Sequence, residues 1–303
     1  MVLGLGISER AEIDSKFLER EAHDRDSIDL PNVQKELVRE ILTLGKPTVI
    51  FLLNGGMVAV EDFVEHVALI EAFYPGMEGA EALAQSIFGK ANRWGRMPYT
   101  VYKADWTEHN SMLDHDVTHQ RTYRYGADAV VPFGYGLSLT RFRLSFQGHV
   151  KRSMIGSCTY NIRIQNLGQL TGDEVIMAFF HPVEAGWKTS EAWELDRSIC
   201  PWCHESLSSI SSASATSNPA LPSQHLVAIA WTRRTAEVSF TLTEEAILLA
   251  TPDGDLVKAP GDYLLTFEDG SGQVLETELR IHGQQRIVEP FPIKNEIIIW
   301  YVI

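Results

Sequence analysis

Two textures of apolar spacing divide this chain. Over the first hundred residues, short apolar runs alternate with helical patterns. Val2-Leu3-Gly4-Leu5 reads as a buried strand. From Pro31 to Leu44, Val33, Leu37, Ile41 and Leu44 recur at helical spacing, and Pro31 suits a first-turn position. Thr48 to Leu53 is a continuous apolar run, as in a parallel strand covered on both faces. Val58 to His66 predicts a short helix, Ala68 to Tyr74 a further strand, and Gly76 to Phe88 a helix carrying Ala82, Leu83, Ile87 and Phe88. Strand-helix alternation with short loops predicts a mostly parallel sheet with helices on both sides, an αβα sandwich. From about Thr159 the period becomes two. Tyr160, Ile162 and Ile164 alternate, and Val175 to Phe180, Ala236 to Leu242 and Tyr263 to Phe267 follow. Turn signals at Thr171-Gly172-Asp173, Pro252-Asp253-Gly254 and Pro260-Gly261-Asp262 separate them. This predicts an all-β, antiparallel sandwich of immunoglobulin-like size.

The resulting domain reading is an α/β part over 1–102, a connecting segment over 103–153, a β-sandwich over 154–288 and an apolar tail over 289–303. The connector is rich in His, Asp, Tyr and Gly with little periodicity. Residues 205–224 (ESLSSISSASATSNPALPSQ) are Ser/Pro-rich and read as a flexible insertion in the sandwich.

Composition narrows the classes. Hydrophobic residues at 45% and charged residues at 22% of 303 are globular values. Forty acidic against 26 basic residues leave −14, which opposes a phosphate-tracking nucleic-acid binder and an anionic membrane surface. No apolar run reaches the ~20 residues of a membrane helix. Three cysteines are too few for a disulfide scaffold.

Several motifs suggest chemistry. Asn54-Gly55-Gly56 follows a strand, where α/β sheets place ligands, but a turn needing positive φ explains it better. Pro75-Gly76-Met77-Glu78-Gly79 reads as helix initiation, with Glu78 near the positive end of the macrodipole. Arg121-Thr122-Tyr123-Arg124-Tyr125 and Phe133-Gly134-Tyr135-Gly136 combine planar donors with aromatic faces, a chemistry that suits sugar rings. Cys200-Pro201-Trp202-Cys203 borders the Ser-rich insertion, which fits a local disulfide or two free thiols better than a redox centre. With His204 and His181 it offers zinc-compatible ligand types at no recognised spacing. His109, His115 and His119 form no metalloprotease pattern, and Gly4-Leu5-Gly6 lacks the third glycine of a dinucleotide fingerprint. No cofactor or metal is implied.

One ordered series of strings carries a family resemblance. Glu19-Arg20-Glu21-Ala22-His23-Asp24-Arg25 precedes Asp29-Leu30-Pro31 and Lys46-Pro47-Thr48-Val49. Then come Asn54-Gly55-Gly56, Tyr74-Pro75-Gly76-Met77-Glu78-Gly79, Phe88-Gly89, Asn92, Gly95-Arg96-Met97-Pro98, and Pro132-Phe133-Gly134-Tyr135-Gly136-Leu137-Ser138. The series resembles the second domain of glycoside hydrolase family 3, the β-glucosidases and β-xylosidases, with the E-x-E-x-x-D-R string closer to the β-xylosidase branch. The later residues resemble the fibronectin-III-like domain that follows it.

That resemblance implies a C-terminal part of a retaining β-glycosidase, whose (β/α)8 barrel would precede Met1, supply the nucleophilic aspartate and act as intramolecular partner. It implies a β-linked xylose or glucose oligosaccharide as substrate and a secreted full-length protein, although no signal peptide is visible. Carried over residue by residue, Glu19 is the acid/base candidate and Glu21 the alternate; Asp24 and Arg25 would fix their loop by a bidentate ion pair. Residues 7–18 are longer and more charged than the family's loop, and Ala22-His23 departs from its pattern. On this reading the chain alone turns over no glycoside. The competing reading is a non-catalytic carbohydrate-binding or interaction module.

Overall fold

The computed structural model describes residues 1–4, 12–13, 16–17, 25, 27–111, 113–114, 119, 121, 128–150, 152–183, 225–232, 234–251 and 254–290. They fall into two compact units, one of 1–91 and 97–135, the other of 92–96 and the residues from 136 onward. In the first, β1 (Val2–Gly4) is followed by a short antiparallel ribbon, β2 (Glu12–Ile13) and β3 (Lys16–Phe17), then α1 (Asn32–Thr43), β4 (Val49–Leu53), β5 (Ala68–Glu71), α2 (Gly79–Ile87) and α3 (Trp106–His109).

Strands β1, β4 and β5 form a parallel sheet in that order, with Val2 opposite Phe51 and Leu52 opposite Glu71. Ile50 and Leu52 are fully buried while Val49, Phe51 and Leu53 are half-buried, so one face of β4 takes more of the core than the other. Leu3, Leu30, Val38, Val58, Val60, Phe63 and Val101 complete that core.

Three elements differ from the pattern-based expectation. Helix α1 buries Val38, while Val33 and Leu37 of the expected stripe stay about half exposed, at 50% and 47%. The helix expected over Val58 to His66 is a turn ending in a 3-10 turn, Val64–His66. Its consecutive apolar residues Val58, Ala59 and Val60 are all buried, which a one-sided helix could not achieve, and Ala59 N–H is taken by Ile28 O at 2.8 Å. The strand expected to reach Tyr74 stops at Glu71, because Phe73 turns to φ 53°.

The second unit continues with β6 (Phe142–Gln147), β7 (Arg152–Met154), β8 (Cys158–Asn166), β9 (Gly172–Pro182), β10 (His225–Thr232), β11 (Thr235–Leu242), β12 (Leu249–Ala250), β13 (Leu256–Lys258), β14 (Gly261–Glu268), β15 (Val274–Ile281) and β16 (Arg286–Glu289). Strand β6 and the first two residues of β7 lie inside the segment read as a connector. One sheet has the order β10-β9-β14-β15-β7, antiparallel except for the parallel β15-β7 pair; a second has β11-β8-β6 and a third β12-β13-β16.

The first two sheets share one core. Tyr160, Ile162 and Ile164 of β8, with Val238 and Phe240 of β11, meet Ile176, Ala178 and Phe180 of β9, Leu265 and Phe267 of β14, and Leu279 and Ile281 of β15. Phe267 is its hub, with ring centroids of Phe240 at 5.3 Å, Tyr160 at 5.5 Å and Phe146 at 5.7 Å. Aromatic contacts at such spacing add to burial, which alone is worth about 1.5–3 kcal/mol per large apolar side chain.

Residues 92–96 are strapped into this second unit. Asn92 Oδ1 accepts bonds from Ser138 Oγ and Leu139 N–H, each at 3.0 Å. Arg93 pairs with Asp173, and Arg96 reaches Glu174 and Asp269 O.

Candidate functional site

The acid/base candidates Glu19 and Glu21, and Asp24 beside them, lie outside the described residues, as do Cys200, Cys203, His204 and the insertion 205–224. Arg25 is described and half-buried. Its Nη2 donates to Met57 O at 3.0 Å, on the loop that follows β4.

That loop belongs to a polar cluster at the carboxyl ends of β4 and β5. Asn54, directly after β4, is fully buried; its Nδ2 donates to Gly56 O at 2.7 Å and to Glu71 Oε2 at 3.3 Å. Glu71 ends β5, and the parallel register that sets it opposite Leu52 brings it within reach of Asn54. Glu71 Oε1 accepts Phe73 N–H at 3.2 Å, and Tyr99 O–H points to Glu71 Oε2 at 3.5 Å. The Phe73 and Tyr99 rings meet edge-on with centroids 5.8 Å apart.

The two glycines of Asn54-Gly55-Gly56 serve a purpose other than the expected one. Neither has positive φ. A Cβ on Gly55 would sit 2.6 Å from Tyr74 Cε2, and one on Gly56 would sit 3.4 Å from Arg25 Nη2. An aromatic ring and a guanidinium lie against the backbone at these two positions.

Burial pushes the Glu71 carboxyl above the usual carboxylate range, and the bonds from Phe73 N–H, Asn54 and Tyr99 only partly oppose it. Tyr99 is raised in turn, by burial first and then by the negative charge of Glu71, with Asn54 and Arg25 acting the other way. Chemically this is a polar ledge that orders two loops and holds one arginine.

Other motifs fall into structural positions. Arg121 donates to Ser111 O at 2.7 Å and to Asp114 O, and His119 Nδ1 lies 2.7 Å from Asp114 Oδ2. Gly134, at φ 82°, donates to Met97 O at 2.7 Å, while Met97 N–H donates to Tyr135 O at 2.9 Å. Gly134 and Tyr135 therefore pair with the Gly95-Arg96-Met97-Pro98 string through backbone. Glu78 precedes α2 and its carbonyl accepts Ala82 N–H at 2.9 Å, so it opens that helix. Among the described residues no group of three or more His, Cys, Asp or Glu is arranged to hold a metal ion, and no helix is long and apolar enough to cross a membrane.

Sequence reasoning missed Glu71 and Tyr99. The available signal was a lone carboxylate closing the apolar run Ala68-Leu69-Ile70, four residues before Pro75.

A parallel sheet followed by a β-sandwich is a fold shared with solved glycosidases. The chain superposes with a TM-score of 0.69 on a glycoside hydrolase family 3 exo-β-xylosidase in complex with a xylobiose aziridine probe, at 22% identity, covering 92% of this chain and 36% of that one. For a β-glucosidase from Kluyveromyces marxianus the TM-score is 0.67 at 21% identity, covering 96% of this chain and 32% of that one. Residues 2–139 match the family described as the glycosyl hydrolase family 3 C-terminal domain. It is 29% identical over 300 positions to a probable exo-1,4-β-xylosidase of Neosartorya fischeri, covering 91% of this chain and 36% of the relative. It is 35% identical over 166 positions to a xylan 1,4-β-xylosidase of Xylanibacter ruminicola, covering 53% of this chain and 19% of the relative. The chain thus spans about a third of the length of the N. fischeri relative.

Proposed function

We propose that this chain serves a retaining β-glycosidase, most like a β-D-xylosidase, that removes terminal sugars from the non-reducing ends of β-linked oligosaccharides. The observation that carries this is its likeness, along 91% of its length, to a probable exo-1,4-β-xylosidase.

In a retaining mechanism one carboxylate attacks the anomeric carbon while a second carboxyl, about 5–5.5 Å away, protonates the leaving oxygen and later deprotonates water. Glu19 is the acid/base in this reading and Glu21 its alternate, with Asp24 and Arg25 holding their loop. The seating of Arg25 on Met57 O supports the loop-fixing role. The nucleophile comes from a (β/α)8 barrel that works with this chain, residues 154–288 are the fibronectin-III-like domain, and the site of action is extracellular. The chain alone supplies the proton but no nucleophile.

The test compares the chain alone with the chain joined to a family 3 barrel, on an aryl β-D-xyloside. Turnover is expected only in the joined protein. Glu19→Gln should lower its kcat/KM by about 10²–10⁴-fold, less for a leaving group that departs without protonation. Robust turnover by the chain alone would overturn the division of labour. An unchanged rate in Glu19→Gln with a collapse in Glu21→Gln would move the acid to Glu21. Binding of xylo-oligosaccharide by the chain alone, with no turnover by the joined protein, would favour a binding module.

A further inference from the structure

Glu71 touches both loops leaving β4 and β5, through Asn54 on one side and Phe73 on the other. It holds each with a different oxygen. Oε1 takes Phe73 N–H, where a non-glycine residue has turned to positive φ and its N–H needs an acceptor. Oε2 takes Asn54 Nδ2.

The state of Asn54 makes that second bond consequential. Asn54 is fully buried and its Oδ1 has no hydrogen-bond donor. Nothing on the oxygen side fixes the amide plane. Its orientation is set on the nitrogen side, by Gly56 O and Glu71 together. Without the Glu71 acceptor, one bond to Gly56 O would have to outweigh the cost of a buried, unpaired carbonyl oxygen, and the amide could turn over. The same Asn54 nitrogen closes the turn whose next carbonyl, Met57 O, receives Arg25. A connected path therefore runs from Glu71 through Asn54 and the Gly55-Gly56-Met57 turn to Arg25.

We infer that Glu71 is a positioning residue for the acid/base loop, holding Arg25 in its seat through Asn54 and the Gly55-Gly56-Met57 turn. This rests on the reading that residues 19–25 carry the acid. Glu71 acts through other residues and need not touch substrate.

The test reads Arg25 itself, by NMR of the intact chain, with its guanidinium signals assigned by their loss in Arg25→Lys. In Glu71→Gln an amide donor replaces Oε2 and faces the Asn54 amide donor, so the lock opens. The guanidinium protons of Arg25 should then exchange with water roughly tenfold faster, the loss of about one net hydrogen bond. The amides of Ile50 and Leu52 inside β4 should change by less than twofold, whereas a generally loosened fold would move them together with Arg25. Glu71→Asp keeps the charge but withdraws its reach and should release Arg25 as Gln does, which preserves the test if Gln fails to fold. A folded Glu71→Gln or Glu71→Asp variant with Arg25 exchange at the native rate overturns the inference. Failure of the functional reading shows elsewhere, as full activity of both Glu19→Gln and Glu21→Gln in the joined protein.

Discussion

Arg96 and Glu174 form an ion pair from which water is excluded, with side chains only 4% and 0% exposed. Arg96 Nε also donates to Asp269 O at 2.6 Å, and Glu174 Oε1 accepts Val175 N–H at 3.1 Å. Asp269 in turn accepts Ser271 N–H, Gln273 N–H and Gln273 Nε2. The arginine of the Gly95-Arg96-Met97-Pro98 string is therefore a structural residue of the second unit.

Removing one partner strands a buried charge, so Arg96→Ala or Glu174→Ala should cost about 3–5 kcal/mol of that unit's stability. Replacing both with apolar residues of similar size, Arg96→Met with Glu174→Leu, should recover much of the loss. Urea denaturation of the four proteins, read by tryptophan fluorescence, checks this. A single variant as stable as the parent would show that the pair is solvated.

Glycines close to other atoms should respond according to what stands in the way. A Cβ on Gly136 would lie 2.7 Å from the backbone oxygen of Gly95, which the strap of residues 92–96 cannot easily move. Gly136→Ala should therefore destabilise by about 1–3 kcal/mol. The Cβ on Gly55 would meet outer atoms of the Tyr74 ring, on a residue 54% exposed, and no backbone atom. Gly55→Ala should cost no more than about 0.5 kcal/mol. Thermal unfolding of both variants decides, and equal costs would refute the argument.

The parts of the fold that were legible in sequence are those where burial is one-sided and strictly periodic. Tyr160, Ile162 and Ile164 alternate with exposed residues, and all three are buried in the sandwich core. Strand β9 was visible for the opposite reason, since it is buried on nearly every residue from Glu174 to Phe180. Strand β6 escaped because Phe142 to Gln147 is a short alternation beside Gly148, inside a segment without periodicity. Helix α1 was placed correctly but faces inward through Val38, because its position against the sheet, and not its own apolar stripe, decides which side is covered. The polar ledge was hidden for a topological reason. Asn54, Glu71 and Tyr99 are separated by 17 and 28 residues, and only the parallel register of β4 on β5 brings the first two together.

Cys158 opens β8 and is a buried free thiol. Burial pushes it up from the usual thiol range, with a bond to Tyr160 and the charge of Arg152 acting against that. Since the thiolate is the reactive form, a disulfide-exchange reagent near neutral pH should label Cys158 at least ~100-fold more slowly in native protein than in urea. The measurement is made in a Cys200→Ser, Cys203→Ser background, so that one thiol reports. Labelling of the native protein at the unfolded rate would place the thiol at the surface.

Glu71 should leave a signature in the pH dependence of stability, and its sign follows from the direction of its shift. Burial raises its folded-state carboxyl above the ordinary glutamate value, so the folded protein binds this proton more tightly than the unfolded chain. The stabilising contribution is fully present below the ordinary value and is lost as pH rises through the folded-state value. Above that window the cost of burying the charge is constant. Glu71→Gln cannot ionise and lacks this dependence, although its amide facing Asn54 Nδ2 adds a penalty that does not vary with pH. The stability of Glu71→Gln relative to the parent should therefore rise with pH, starting near the ordinary glutamate value, and then level off. Parallel urea titrations at intervals from acid to neutral pH measure that difference directly. A difference that stays flat would mean that Glu71 titrates alike in the folded and unfolded chain. One that falls with pH would mean that the bonds from Phe73 N–H, Asn54 and Tyr99 outweigh burial and hold the carboxylate ionised.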